Sequence, residues 1–336
     1  MIILVGRKRL KTTVVDGRSY DPWANLALEE YLLQLVQDDH IILYLWQNQH
    51  TVVIGRNQNA WKECNTAKLE AAGGRLARRL SGGGAVYHDL GNLNFTYLMA
   101  SQYYDLGRQL SVILDAVKSH GIAAAFSGRN DVEAGGRKFS GNAFYHGKSA
   151  SFHHGTLLVN VEIGALQDYL TVSRDKIAAK GVDSVRSRVV NLAEINSRLT
   201  VDSLRESLIN SFLAEYGHER IDLALDGMSS DQQYQDLYNK YSSWDWRYGK
   251  TPQFDISFVT RFPWGGIELA MNVGQGRVKE AVFYSDAMNA DLIADMAEVL
   301  YGVELDSSKL SIALGSLIRE DNIVMDVVKW LKTLAL

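Results

Sequence analysis

The sequence has one cysteine, three prolines and no uninterrupted apolar run near the ~20 residues that span a bilayer. The lone Cys64 excludes an intramolecular disulfide framework and a multi-cysteine zinc site, and it fits a reducing compartment. A basic excess is also missing. Lys and Arg number 35 against 39 Asp and Glu, a net charge of −4, so no global field draws the chain to nucleic acid or a membrane. Any anion binding must come from local clusters. The apolar start Met1–Val5 precedes Arg7, Lys8, Arg9 and Lys11, the reverse of a secretory signal. A cytoplasmic protein with neither nucleic acid nor membrane as partner is the expectation. At 336 residues, with 46% hydrophobic and 22% charged content, one large and one small folded domain are expected.

Two of the prolines mark joints. Asp21-Pro22-Trp23 opens a helix, with Asp21 as cap and Pro22 in its first turn. Ile41–Trp46 and Thr51–Ile54 are β-rich runs around polar Gln47–His50, which predicts a hairpin. Val86-Tyr87 and Asn94–Met99 flank Asp89–Asn92 as a second strand–turn–strand signal. Leu110, Ile113, Leu114 and Val117 recur at helical spacing ahead of Gly121, and Leu204, Leu208, Phe212 and Tyr216 do so ahead of Gly217. Thr156–Val161 reads as a strand. Elements interleave without regular βαβ spacing, so the fold class is α+β with a mixed or antiparallel sheet over residues 1–247. Residues 248–253 read as a linker, and 254–336 as a small α/β unit with a hairpin, Ile267–Val273 and Val278–Tyr284, followed by helices.

The most informative stretch is Arg78-Arg79-Leu80-Ser81-Gly82-Gly83-Gly84-Ala85-Val86-Tyr87-His88. Guanidinium forks bind phosphate or carboxylate, and glycines let backbone N–H groups approach an anion. A basic turn leading into a strand is the plainer reading. A second cluster, Asn130-Asp131 followed by Gly135-Gly136-Arg137-Lys138, changes the balance. It projects an ammonium from a loop bounded by glycines and adds hard oxygen donors suited to Mg²⁺. Together these form a kit for ATP or another polyanion. A dinucleotide fingerprint fails because Tyr87 stands where its third glycine belongs, and Gly141–Ser149 is one residue too long for a P-loop. Adjacent His153 and His154 on a strand point to opposite faces, so they read as one core and one exposed residue and not as a metal site. Cys64 has no neighbour that would lower its pKa and reads as structural.

These segments resemble the lipoate–protein ligase A family of the biotin/lipoate ligase superfamily. The similarity runs in order through Ser19–Trp23, Thr51–Arg56, Trp61–Thr66, Arg78–Gly91, Ser127–Asp131, Arg137–Asn142, Phe152–Leu158, Ala178–Val189, Ser242–Trp246 and Trp264–Gly266. The resemblance implies a biotin/lipoyl-ligase-like catalytic domain with a small accessory domain. It further implies ATP-dependent activation of lipoate to lipoyl-AMP and transfer to a lysine of lipoyl carrier domains. By position it places ATP contacts on Arg79, Gly84, Ala85, Val86, Tyr87 and Lys138. Lipoate contacts fall on Lys138, Ser81, Gly82 and Gly83, and magnesium contacts on Asn130 and Asp131. Lys138 is the implied catalytic residue, and Lys180, Arg186 and Arg188 fall in a loop over the adenylate. ATP and Mg²⁺ are the implied cofactors. Lipoic acid, or octanoic acid, and the lipoyl domains of E2 subunits or H protein are the implied partners. An octanoyl or lipoyl carrier transferase of the same fold and a non-catalytic lipoate- or carrier-binding protein are the alternatives.

Overall fold

Strand β2 (His40–Trp46) is apolar along nearly its whole length because both of its faces are covered. The computed structural model describes residues 10–17, 19–127, 130–171, 189–217, 221–222, 230–249, 254–317 and 322–334. Around β2 lie β1 (Lys11–Asp16), then β3 (Thr51–Ile54), β4 (Arg75–Arg78), β5 (Val86–His88) and β6 (Asn92–Ala100). Next come β7 (Ala124–Ser127), β8 (Asp131–Ala134), β9 (Arg137–His146), β10 (Ala150–Leu158) and β11 (Ile221–Asp222). Eight of these form one mixed sheet in the order β11-β1-β2-β6-β10-β9-β8-β7, and three form a second sheet, β4-β3-β5. In β2, Ile41, Leu43 and Leu45 pack beneath the helices Leu106–Lys118 and Val201–Tyr216. Ile42, Tyr44 and Trp46 face the helices Pro22–Leu35 and Gln232–Ser242. Strand alternation thus divides one apolar run between two cores.

The helix starts follow the expected chemistry. The Asp21 carboxylate accepts from Trp23 N at 2.9 Å with Pro22 in the first turn, and Gly217 ends the helix Val201–Tyr216. The strand–turn–strand order expected over Val86–Met99 is present, but the hairpin expected around Gln47–His50 is absent. Both edges of β2 are taken, by β1 and β6, so the Gln47–His50 turn instead carries the chain into the second sheet, with His50 at φ 44°. For the same reason β5 pairs with β3 and not with β6. The strand expected to begin at Thr156 begins at Ala150, and Lys138 lies on strand β9, not in a loop.

A three-stranded antiparallel sheet, β12 (Ile256–Phe262), β13 (Gly265–Gly274) and β14 (Arg277–Ser285), forms the small unit. Three helices, Ala290–Glu298, Ser307–Gly315 and Asn322–Leu331, close a separate apolar core around Leu269, Phe283, Met296, Leu314 and Val327. The unit packs beside the glycine stretch. Arg56 pairs with Asp291, Lys62 Nζ lies 2.6 Å from Glu268, and Gly83 N donates to Ala287 O at 3.1 Å.

Candidate functional site

One row of residues crossing five strands builds the floor of a cavity of about 450 Å³. Trp46 on β2 is paired with Asn94 on β6, and Asn94 with Thr156 on β10. Thr156 Oγ1 accepts from Gly141 N on β9 at 3.2 Å, and Gly141 is paired with Asp131 on β8. All five line the cavity. Five strands at the usual spacing extend the floor over about 19 Å. The row changes character along its length. Trp46, with Leu26, Val53, Ala85 and Val86, makes one end apolar, whereas Asn130, Asp131 and Lys138 make the other polar and charged.

At the polar end, Lys138 Nζ lies 2.7 Å from Asp131 Oδ1, and both side chains are about one-third exposed. Asn130 and Asn142 are tied reciprocally. Asn130 Nδ2 donates to Asn142 O at 3.1 Å, and Asn142 Nδ2 donates to Asn130 O at 3.0 Å. The expected proximity of Lys138, Asn130 and Asp131 is therefore present. Among the described residues no cluster of three or more His, Cys, Asp or Glu could hold a metal ion.

The glycine stretch forms a second wall, and its shape is set by Arg79. This buried guanidinium donates to Gly82 O at 2.7 Å, Gly84 O at 2.8 Å, Ser81 Oγ at 3.1 Å and Val53 O at 3.2 Å. Burial lowers its pKa to about 10, so it stays charged at neutral pH. Gly83 has φ 89°, and a Cβ there would come 2.9 Å from Arg79 Nη2, which explains why glycine stands at this position. Arg78 does not join Arg79 at the cavity. It donates to the carbonyls of Arg56, Gln58, Trp246 and Arg247, and so it pins two chain segments together.

Gly83, Gly84, Ala85 and Val86 line the cavity, but three residues expected as contacts lie behind its wall. Ser81 is fully buried, with Oγ 2.8 Å from His154 Nε2. Gly82 is covered by the small unit, where a Cβ would meet Ala287 O at 2.2 Å. Tyr87 alternates away from Val86 along β5 and stacks on Tyr169. Lys180, Arg186 and Arg188 lie outside the described residues.

Beside the floor, on the same face of the sheet, runs a buried polar chain that the sequence did not single out. Trp46 Nε1 donates to Thr96 Oγ1 at 3.0 Å, and Thr96 Oγ1 donates to Glu29 Oε1 at 2.7 Å. Glu29 Oε1 also lies 2.8 Å from His154 Nδ1, and His154 leads through Ser81 to Arg79. The expectation of one core and one exposed histidine fails here. His153 and His154 are both buried because both faces of β10 are covered, His153 between Gln109 and Asn142 and His154 at the cavity. His88 also lines the cavity. Burial and the nearby Arg79 lower its pKa to about 3, and Asn48 Nδ2 donates to its Nδ1 at 3.1 Å, leaving a neutral ring with its proton on Nε2. One signal was available. Asn94 and Thr96 on β6, and His154 and Thr156 on β10, are polar residues two apart on one face of their strands. Arg261, Asp286 and Met288 of the small unit complete the wall, and no sequence pattern had linked them to the site.

Comparison with known proteins agrees with this geometry. A family model described as the lipoyl protein ligase A/B catalytic domain matches residues 21–213, and one described as the bacterial lipoate protein ligase C-terminus matches 251–328. The chain is 43% identical to lipoate-protein ligase A of Psychrobacter cryohalolentis over 306 residues, 88% of this chain and 90% of that protein. Among solved structures, P. falciparum LipL1 in complex with lipoate is 33% identical with a TM-score of 0.86, covering 96% of this chain and 100% of that one. A lipoate-protein ligase A bound with ATP is 26% identical with a TM-score of 0.62, covering 72% of this chain and 99% of that one.

Proposed function

The chain belongs to the lipoate–protein ligase family, which activates lipoate with ATP and joins it to a lysine of a carrier protein, and we propose how its residues divide that work. The observation that carries the assignment is the single cavity floor, apolar at Trp46 and charged at Asp131 and Lys138. The aliphatic tail and dithiolane of lipoate lie at the Trp46 end, where Leu26, Val53 and Val86 exclude water. This orientation brings the carboxylate to Lys138. ATP takes the opposite end, with its phosphates against Gly83, Gly84 and Lys138. Residues 1–247 act as the catalytic domain, and 254–336, beyond the linker 248–253, as its accessory domain.

In the first half-reaction the lipoate carboxylate attacks the α-phosphate and pyrophosphate leaves. Two anions must meet, and the Lys138 ammonium lowers that repulsion and stabilises the charge that builds on the phosphoryl oxygens. Arg79 holds the glycine loop by its carbonyl oxygens and adds a fixed positive charge behind it. Asp131, with the side-chain oxygen of Asn130, offers a carboxylate and an amide oxygen. This hard set suits Mg²⁺ when the nucleotide phosphates and water complete the shell, and the ion would supply charge neutralisation. In the second half-reaction the carrier lysine attacks the lipoyl carbonyl and AMP leaves. E2 lipoyl domains and H protein are the proposed carriers, and octanoate is a second acyl substrate.

No enzyme nucleophile enters this scheme, and Cys64 fits none. It is buried, and burial together with Glu70 pushes its thiol up to about 12. Purified protein given ATP, Mg²⁺, lipoate and an apo lipoyl domain should add one lipoyl mass to that domain. Cys64→Ser should retain that activity within about twofold, since it exchanges one small buried side chain for another. A folded Cys64→Ser protein that transfers nothing would transfer the assignment to a thioester mechanism.

A further inference from the structure

The cavity is bounded by three cations among the described residues, Arg79, Lys138 and Arg261, and they differ in how far the protein already occupies them. The Arg79 guanidinium donates to four protein oxygens. Lys138 sits 2.7 Å from a carboxylate. Arg261 is held least. Its Nη2 lies 3.7 Å from Asp286 Oδ2, beyond hydrogen-bond length, and its side chain is 44% exposed. Asp286 itself is turned to the backbone, with Oδ1 accepting from Gly266 N at 2.6 Å. Gly266 stands opposite Arg261 on β13, and a Cβ there would come 3.2 Å from Nη1. The Trp264-Gly265-Gly266 turn therefore leaves lateral room for the guanidinium, which gives that motif a physical reason.

A planar fork with unspent donors, set at the mouth of a site for a polyanion, matches the paired oxygens of a phosphate. We propose that Arg261 of the small unit binds the part of the ATP triphosphate that departs as pyrophosphate. This rests on the ATP-dependent reading above. It makes Arg261 a substrate-binding residue for the first half-reaction alone, because no triphosphate is present in the second. Lys138 faces the carboxylate and α-phosphate from the floor, whereas Arg261 reaches the outer phosphates from the opposite body of the protein.

The two half-reactions separate the possibilities. Wild type, Arg261→Ala and Arg261→Lys are assayed for lipoyl-AMP formation across ATP and lipoate concentrations, and for transfer from pre-formed lipoyl-AMP to an apo lipoyl domain. Arg261→Ala should raise the KM for ATP about tenfold or more, the loss expected for a charged hydrogen bond. Its KM for lipoate and its transfer rate should stay within about twofold of wild type. Arg261→Lys should recover part of the ATP affinity, since it restores the charge without the fork. Adenylation within about twofold of wild type in both variants would overturn the proposal. An equal loss in both half-reactions would also overturn it, since that reports a structural role. Wild type that forms no lipoyl-AMP would instead remove the ATP-dependent reading itself.

Discussion

Lys138→Ala is expected to slow lipoyl-AMP formation by about a hundredfold or more while leaving the thermal melt almost unchanged. In the proposed arrangement the ammonium stands between two anions in a cavity that the small unit lines on one side, so its loss exposes their repulsion. Screening by water recovers only part of it. The fold depends on the main chain of Lys138, which pairs with Glu133 and accepts from Val190 N at 2.9 Å. Those bonds survive truncation of the side chain. Asp131 loses its partner but is one-third exposed, so water takes the place of the ammonium at small cost. Lys138→Arg should rescue only in part, because a fork places its donors elsewhere than a compact ammonium. Steady-state adenylation beside a melting curve tests both halves. Near-wild-type adenylation removes Lys138 from the chemistry, and a collapsed melt makes its role structural.

Glu29→Ala is expected to have the largest effect on stability, about 3 kcal/mol, with a parallel loss of lipoate affinity. Glu29 is 1% exposed, and its Oε1 takes the Thr96 hydroxyl and faces His154 Nδ1. Removing the carboxylate leaves both buried groups without their partner. Each also has a task at the cavity. Thr96 orients the Trp46 indole, and His154 reaches Ser81 beside Arg79. The truncation thus loosens the apolar end and the glycine wall together. Urea denaturation measures the stability, and the KM for lipoate measures the positioning. A loss below about 1 kcal/mol would mean that the chain carries less than its burial implies.

Much of the architecture was legible because local chemistry and tertiary contacts agreed. Asp21-Pro22 capped its helix, the 3.6-residue stripe at Leu204–Tyr216 met the sheet, and the β13–β14 hairpin formed in place. The hairpin expected around Gln47–His50 failed for one reason. Adjacency in sequence cannot reveal that β2 already has neighbours on both edges, one of them β6 nearly fifty residues on. At the site, charge and glycine content marked Arg79, Gly83, Gly84 and Lys138, but composition could not say which way each group turns. Arg78 and Arg79 look alike in sequence, yet alternation along the chain sends one to the cavity and the other to main-chain carbonyls. Glu29 and Arg261 were illegible for a different cause. Glu29 gains its meaning only from Thr96 and His154, 67 and 125 positions on, and Arg261 from a cavity whose other lining residues lie mostly more than a hundred positions before it.

In the proposed reaction this cavity couples ATP to lipoate before any carrier arrives. Exchange of labelled pyrophosphate into ATP measures that step in isolation, with purified protein, Mg²⁺ and no lipoyl domain present. Exchange is expected to depend on lipoate, to persist in Cys64→Ser and to fall about a hundredfold in Lys138→Ala. Absence of lipoate-dependent exchange, with octanoyl transfer from a carrier proceeding normally, would contradict that coupling.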